Sequence, residues 1–334
     1  MTLPTSAEGG SENHRARTVG IGAAHAKAIL LGEHAVVYGA PALALPVPRL
    51  KAVARAKWAA HATEDRCGVA FTTTGSAPGP TVAASDGMRR LAVACRAAMG
   101  MPDAPYLDVI IRCAIPPGRG LGSSAACARA MVLALADLFG RAVTESTVFD
   151  LVQTAENVVH GRASGVDART VAASAPLLFQ QGEARELPIG CDGSFVIADS
   201  GETGRTKDAV ELLRAALGRR SGAREAFVSR ASKMTDEARH ALAEGEPEEL
   251  GARLTDYHEL LRAAGLSTDR IETLVEAALA AGSLGAKITG GGLGGCVIAL
   301  TRAEQAKVVT RQLHEAGAVQ TWVVPLKEPA GHAR

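Results

Sequence analysis

The sequence predicts a mixed α+β protein with two domains. Three observations indicate this class: extended and helical segments alternate in the first half, helical periodicity dominates the second half, and strand patterns return near its end. With 334 residues, 47% of them hydrophobic, the chain is long enough to build two cores. The pattern breaks near residues 180–195, where we expect the domains to meet across a cleft.

The first half is predicted to alternate strands with helices. Short apolar runs bounded by Gly or Pro predict strands, and apolar residues three or four positions apart predict helices. One helix begins at Ser123, directly after a glycine-rich turn, and ends at Gly140. The predicted strands are 19–24, 28–31 and 107–113, and the predicted helices are 88–99, 123–139 and 145–160.

The second half is predicted to be richer in helix. Ser267 is a plausible N-cap for one of its helices, and Gly282 is a plausible C-terminal stop for the same helix. The predicted helices are 206–220, 223–244, 246–265, 267–281 and 302–316, and the predicted strands are 286–289, 296–300 and 319–324.

The composition excludes several classes of function. Basic and acidic residues nearly cancel, 36 against 35, so there is no electrostatic footprint for nucleic acid or for an anionic membrane. Aromatic residues make up only 3%, too few for platforms that stack bases. No apolar run approaches the roughly 18 residues that a membrane span needs.

The terminus and the cysteines favour a cytoplasmic globular protein. Residues 1–18 are polar and lack a hydrophobic signal core, so we expect a disordered tail. The six cysteines contain no CxxC pair, which favours small buried thiols in a reducing compartment.

The segment IPPGRGLGSSAA, residues 115–126, predicts a site for an anion. Its glycines lack Cβ atoms, so successive backbone N–H groups can converge on one ligand. The serines then open a helix, whose first N–H groups are unpaired and whose dipole end is positive. A phosphate therefore fits without a lysine, although the same pattern also suits a plain helix cap with no ligand.

Two familiar nucleotide motifs do not fit the glycine-rich segments. A Walker A loop needs GK[ST], and no lysine follows the glycines of residues 118–122. A GxGxxG fingerprint fails there because its last position is Ser123. The run GGGLGG at residues 290–295 matches that fingerprint formally, but it leads into a strand rather than a helix.

Four segments together resemble the GHMP small-molecule kinases. They occur in the family order and span the chain from about residue 20 to residue 325. The form GEHAVVYG is similar to the mevalonate kinases of that family, and Leu293 departs from the third glycine signature, where a glycine is usual. The segments are KAILLGEHAVVYGA (27–40), PPGRGLGSSAA (116–126), HGRASGVDART (160–170) and KITGGGLGGC (287–296).

This resemblance implies the two-domain GHMP kinase fold. After the tail of residues 1–18, we expect a ribosomal-protein-S5-like α/β domain that binds ATP over residues 19–185. A ferredoxin-like α+β domain would follow over residues 186–334, with the active site in the cleft between them. Homodimers are common in the family, and we expect one here.

The resemblance also implies how ATP and Mg²⁺ are held. Mg²⁺ would be bound by Ser124 and Glu156. Periodicity alone favours a solvated helix carboxylate for Glu156, but its spacing of eleven residues to Asp167 matches the family and favours the metal role. The residues expected to bind the ATP polyphosphate are Pro117, Gly118, Arg119, Gly120, Leu121, Gly122, Ser123 and Ser124.

Two residues are expected to carry the chemistry. Asp167 follows Gly165 closely, which on its own indicates turn chemistry, but the family places its general base at this position. Lys27 matches the lysine of the first signature, where it would favour the ionised aspartate and steady charge on the transferred phosphoryl group. In isolation it is also consistent with a lysine at a strand edge in water.

Four more residues are expected to contact the alcohol substrate. By resemblance, His34 donates a hydrogen bond to the substrate and Glu33 shapes the same corner, whereas a lone histidine is usually structural. Thr206 and Thr289 resemble substrate-side threonines of the family, and Lys27 and Asp167 also face this substrate.

The expected activity is ATP-dependent phosphorylation of (R)-mevalonate to 5-phosphomevalonate in isoprenoid synthesis. Two alternatives stay open at this point. The first is a related kinase acting on phosphomevalonate or a sugar, and a pocket for the phosphorylated substrate should need additional Lys or Arg side chains. A non-catalytic nucleotide sensor should lack some of Asp167, Glu156, Ser124 and Lys27, yet all four are present.

Overall fold

The first half of the chain folds into a sheet organised around two long strands. The computed structural model describes residues 17–59, 67–73, 82–83, 85–102, 106–161, 163–219 and 221–327. The strand order is β4–β3–β5–β2–β6–β7, with β1 paired to β2. These strands are β1 (Val19–Leu31), β2 (Ala42–Trp58), β3 (Cys67–Thr73), β4 (Val82–Ala83), β5 (Leu107–Cys113), β6 (Leu177–Gln180) and β7 (Glu183–Glu186).

Strands β1 and β2 form the antiparallel centre of this sheet. Their pairing continues through two register shifts, so the strands predicted at 19–24 and 28–31 are one strand of 13 residues. No strand is predicted over β2, which contains Pro46 and Pro48. The strand predicted at 107–113 is β5, and it leads directly into the glycine-rich turn.

One helix fills the space beneath β1 and β2. Its alanines, among them Ala126, Ala130 and Ala134, are fully buried and allow a close approach to the sheet, while Met131 and Leu135 add bulk to the core. Burying each of these larger side chains contributes about 1.5–3 kcal/mol. The helices of this half are α1 (Asp86–Ala98), α2 (Ser123–Phe139), which is this core helix, α3 (Glu145–His160) and the short α4 (Val166–Thr170).

The second half contains a smaller antiparallel sheet in the order β11–β8–β10–β9. The predicted cap of α8 is wrong by one residue: the Thr268 hydroxyl, not that of Ser267, accepts the Ile271 N–H at 3.3 Å. The strands are β8 (Ser194–Asp199), β9 (Gly285–Thr289), β10 (Cys296–Thr301) and β11 (Gln320–Pro325), and the helices are α5 (Thr206–Gly218), α6 (Ala223–Glu244), α7 (Pro247–Ala263), α8 (Asp269–Ala280) and α9 (Ala306–Glu315).

The two sheets follow one another along the chain without sharing a strand. The first ends with β7 at Glu186 and the second begins with β8 at Ser194, so the boundary between residues 185 and 186 stays a prediction. The predicted tail of residues 1–18 lies outside the described residues up to residue 16, and Arg17 pairs with Asp137 at 2.5 Å. Among the described helices, none is long and apolar enough to cross a bilayer.

Candidate active site

A cleft of about 400 Å³ lies where the two halves of the chain meet. It is bounded by the end of β1, the start of α2, the short helix α4 and the glycine turn between β9 and β10. The structure brings twelve of the predicted site residues to its walls. They are Lys27, Glu33, His34, Gly118, Gly120, Gly122, Ser123, Ser124, Glu156, Asp167, Thr206 and Thr289.

An ion pair joins the two predicted catalytic side chains. The Nζ atom of Lys27 lies 2.8 Å from an Oδ atom of Asp167. The lysine side chain is only 4% exposed, whereas that of Asp167 is 33% exposed and faces the cleft from the first turn of α4. The backbone N–H of Lys27 donates to the Leu121 carbonyl at 3.1 Å, so strand and glycine loop are fixed to each other. The buried cation thus orients an accessible carboxylate.

The glycine loop between β5 and α2 passes over Lys27. Gly122 has a left-handed φ of 71°, and a Cβ atom there would lie 2.8 Å from Cγ of Lys27. Glycine is therefore required both for the backbone conformation and for the lysine to reach the cleft. Gly122 also caps α2 without a side-chain hydrogen bond, so the first N–H groups of α2 lack such a cap. This end of the helix suits a phosphate group.

The third glycine segment, residues 290–295, crosses the first at close range. A Cβ atom on Gly120 would lie 2.9 Å from the Thr289 carbonyl oxygen, and one on Gly290 would lie 2.6 Å from Cα of Gly120. These glycines therefore allow the two loops to pack closely against each other. Leu293 has a left-handed φ of 55°, and its N–H donates to Leu266 at 2.9 Å, so this departure from the family pattern keeps the glycine-like backbone.

Three of the residues predicted to bind the polyphosphate do not turn their side chains to the cleft. Pro117 is exposed, and Leu121 is buried in the core beneath the loop. The guanidinium group of Arg119 points into the second half of the chain, where its Nε atom lies 2.8 Å from a carboxylate oxygen of Asp199.

Glu156 and Ser124 lie together at the start of α2. The Glu156 carboxyl is buried, and its pKa is raised to about 7, chiefly by burial and further by repulsion from Asp167. A hydrogen bond with Ser124 and the charge of Lys27 oppose this shift. A side chain on a solvated helix face would be exposed, so the burial of Glu156 contradicts that alternative, and the metal role stays a prediction.

A buried ion pair lies behind the first signature. The ammonium group of Lys287, fully buried on β9, contacts the Glu33 carboxylate and donates to the Ile288 carbonyl at 2.5 Å. Burial raises the pKa of Glu33, and the charge of Lys287 opposes that shift. The Tyr257 hydroxyl donates to the backbone carbonyl of Glu33 at 3.0 Å. Sequence reasoning gave no role to Lys287 or Tyr257, although Lys287 is the first residue of the third signature.

His34 is held in an unusual conformation next to this pair. Its φ of 62° is uncommon for a residue with a side chain, and its Nε2 atom is buried without a hydrogen-bond partner among the described residues. Burial and the charge of Lys287 lower the pKa of His34 to about 4. The imidazole is therefore neutral at physiological pH and has one nitrogen available to a ligand.

The two predicted threonines have different surroundings. Thr289 is buried, and its hydroxyl donates to the Ile29 carbonyl at 2.9 Å while accepting the Ile29 N–H at 3.0 Å, which ties β9 to β1. Thr206 begins α5 at the cleft wall and lies close to Gly291. A Cβ atom on Gly291 would overlap the Thr206 hydroxyl. Thr289 thus positions a strand, and Thr206 presents its hydroxyl to the cleft.

Two family models and several curated relatives match this chain. The GHMP kinases N terminal domain model matches residues 88–174, which contain the glycine loop, and the GHMP kinases C terminal model matches residues 238–319. A mevalonate kinase from Pyrococcus horikoshii is 32% identical over 311 residues, which cover 87% of this chain and 91% of that protein. One from Thermococcus sibiricus is 34% identical over 310 residues, with the same shares.

The chain belongs to the mevalonate kinase family of GHMP kinases. A crystal structure of L. major mevalonate kinase in complex with R-mevalonate superposes on this GHMP kinase with a TM-score of 0.78, covering 96% of this chain and 99% of that one at 21% identity. That likeness shows the same two-domain fold. The resemblance and fold class that the sequence predicts are therefore confirmed.

Proposed function

We propose that this protein transfers the γ-phosphoryl group of ATP to the 5-hydroxyl of (R)-mevalonate, as an ATP:mevalonate 5-phosphotransferase of isoprenoid synthesis. The observation that carries the proposal is the Lys27–Asp167 pair, 2.8 Å apart, beside the glycine loop and the open end of α2. An acceptor for a proton, a cation and a phosphate-binding turn thus meet in one cleft, and these are the parts that phosphoryl transfer needs.

Each of these groups has one role in a direct transfer. The substrate hydroxyl oxygen bonds to the γ-phosphorus, the bond from that phosphorus to the β,γ-bridging oxygen breaks, and ADP leaves with the electron pair. Asp167 accepts the hydroxyl proton, and Lys27 holds that carboxylate in place while stabilising charge on the transferred group. The backbone N–H groups of residues 118–124 hold the polyphosphate, so no covalent phosphoenzyme is required.

The chain also offers a fitting site for Mg²⁺. No three His, Cys, Asp or Glu side chains cluster as ligands among the described residues, but Mg²⁺ bound to ATP takes only one or two protein oxygens. Glu156 is a buried carboxyl in repulsion with Asp167 and hydrogen-bonded to Ser124. Ser124 and Glu156 would hold the cation, which would neutralise charge on the phosphates.

The substrate end of the cleft favours an alcohol without a phosphate group. Lys27 is the only lysine or arginine among the described residues that line it. The neutral imidazole of His34 and the Thr206 hydroxyl are available to the substrate carboxylate and hydroxyls, and Val36 and Val210 supply apolar wall for its methyl group. This set supports mevalonate over phosphomevalonate, whose phosphate would require further cations.

The proposal is tested by supplying the enzyme with ATP, Mg²⁺ and one alcohol at a time. ADP release is followed with (R)-mevalonate, 5-phosphomevalonate and galactose. We expect kcat/KM for mevalonate to exceed the other two by about 100-fold or more. A preference for phosphomevalonate or the sugar would refute the substrate, and nucleotide binding without any transfer would favour the sensor alternative.

We further propose that the enzyme acts as a homodimer in the cytoplasm. The dimer rests on the family resemblance, and the location rests on the thiol usage, which favours a reducing compartment. Light scattering after size exclusion tests the dimer, since a mass near 34.3 kDa would identify a monomer.

A further inference from the structure

The arginine of the glycine loop leaves its own half of the protein. Arg119 occupies the variable position of PPGRGLGSSAA, and its guanidinium group reaches the turn that follows β8. Its Nε lies 2.8 Å from a carboxylate oxygen of Asp199, and its terminal nitrogens donate to the Thr203 hydroxyl and the Gly201 carbonyl, each at 2.9 Å. These three partners of the guanidinium group all lie in the second half of the chain.

The partner of this arginine is itself firmly held. The Asp199 carboxylate is 6% exposed and also accepts the Gly201 N–H at 2.8 Å, so the turn presents a fixed negative charge. The Arg119 side chain is 16% exposed. An ion pair this shielded is screened weakly by salt and leaves an unpaired buried charge when one partner is removed.

The same contact brings three backbone segments together. Gly204 of the turn donates its N–H to the Gly118 carbonyl at 2.8 Å, and the Ser200 hydroxyl donates to the Gly295 carbonyl at 2.6 Å. A Cβ atom on Gly295 would lie 3.1 Å from the Arg119 carbonyl oxygen. The glycine loop is thus layered between the β8 turn and the third glycine segment, and Arg119 is the side chain that fastens it.

A loop with several glycines needs contacts that order its backbone before a phosphate group binds. Glycine loses more conformational freedom on ordering than any other residue, and backbone N–H groups hold a phosphate well only when they are fixed beforehand. The Ala126 N–H of α2 donates to the Gly122 carbonyl at 3.0 Å and the Lys27 N–H of β1 donates to the Leu121 carbonyl at 3.1 Å, so one end of the loop is held. Without Arg119, one backbone hydrogen bond among the described residues, from Gly204 to Gly118, would hold the other end to the second half.

We propose that Arg119 is a positioning residue for nucleotide binding: it holds the polyphosphate loop on the second half of the protein through Asp199 and does not bind phosphate itself. This inference deepens the proposed function and rests on the polyphosphate lying in that loop. It replaces the sequence-based expectation of a direct contact between Arg119 and ATP. It also gives Asp199, 80 positions further along the chain, a role in holding the loop through Arg119.

The test compares Arg119→Met with Asp199→Asn, since a positioning role and a direct phosphate contact predict opposite results for the second variant. Binding of ADP with Mg²⁺ is measured by calorimetry. For positioning, both variants should weaken binding by about tenfold, and the double variant should be no weaker than either one. For a direct contact, Asp199→Asn would release the arginine toward phosphate and leave binding unchanged or tighter, which would overturn the proposal.

Arg129→Met is the matched control. Arg129, on α2, is 11% exposed and makes two hydrogen bonds of 2.9 Å to Glu145, but it joins elements of the first half only. Because the Glu145 side chain is 70% exposed, we expect a smaller fall in melting temperature than in Arg119→Met, and the ADP affinity should stay within about twofold of wild type. Equal loss of ADP affinity in this control would reduce Arg119 to a general stability role and refute the inference.

Steady-state kinetics separates this inference from the proposed function. Arg119→Met should raise KM for ATP by about tenfold and change KM for mevalonate by less than about twofold, and Arg119→Lys should recover part of the loss. A wild-type enzyme that binds ADP but does not phosphorylate mevalonate would refute the proposed substrate alone. Wild-type ADP affinity in Arg119→Met would refute the positioning role alone.

Discussion

Replacing Lys287 by Met tests the buried ion pair behind the first signature. The substitution keeps an unbranched side chain of similar length but removes the charge and the donors. Lys287 is fully buried and the Glu33 side chain is 3% exposed, so this ion pair is largely shielded from bulk water. The carboxylate and the Ile288 carbonyl would lose their donor. Removing one member of a buried pair destabilises a protein by about 3–5 kcal/mol, and we expect a loss in this range.

The loss should depend on pH. Burial already raises the pKa of Glu33 in the folded protein, and removing Lys287, which opposes that shift, raises it further. When folding raises the pKa of a carboxyl, the protonated group contributes its full stability at pH values below the pKa in the unfolded chain. That contribution is lost as the pH rises through the pKa in the folded protein. The deficit of Lys287→Met should therefore be larger at pH 8 than at pH 5.

Urea unfolding followed by circular dichroism at both pH values measures this effect. Adding Glu33→Gln should recover about half of the loss or more, because the uncharged amide no longer needs a cation. Lys233→Met is the control, since that side chain is 77% exposed and 3.7 Å from Glu237, a pair worth about 0.5 kcal/mol or less. A Lys287→Met protein within about 1 kcal/mol of wild type at pH 8 would refute the reasoning.

Three further predictions concern the cleft. Asp167→Asn removes the proton acceptor but not the phosphate loop, so kcat, measured by ADP release, should fall by about 1,000-fold, while ADP affinity, measured by calorimetry, should stay within about threefold. Near-normal turnover would remove Asp167 from the mechanism. Gly122→Ala should lower kcat by about tenfold or more, since its methyl group would lie 2.8 Å from Cγ of Lys27 at a φ of 71°. Gly100→Ala, at a φ of 68° with open space around it, is the control and should keep its kcat. The His34 imidazole, with a pKa lowered to about 4, should stay neutral in an NMR titration from pH 8 to pH 5, and its contribution to stability should be lost only as the pH falls from 6.5 toward 4; a midpoint near 6.5 would contradict its burial.

Local patterns predicted the helices better than the strands. Helices α2, α3 and α6 have the predicted ends, because their apolar periodicity and glycine stops are properties of neighbouring residues. Strands β6, β7 and β8 carried no clear prediction. They are short, and β8 is buried along its whole length, so it shows no alternation of polar and apolar residues. Their positions depend on partners that are distant in sequence.

The four glycine and charged segments by themselves determined the family, the class of reaction and most of the cleft residues. Such segments can be read from sequence because a phosphate-binding turn needs particular residue types at fixed local spacing. Only the tertiary structure decided which side chains face that cleft. In the folded protein the Arg119 side chain pairs with Asp199, and the Thr289 hydroxyl bonds to the backbone of β1. Lys287 contacts Glu33, more than 250 positions away in the chain. Each of these contacts joins the two halves. The strength of an ion pair or a hydrogen bond depends on the distance between its atoms in the folded protein and not on their separation along the sequence.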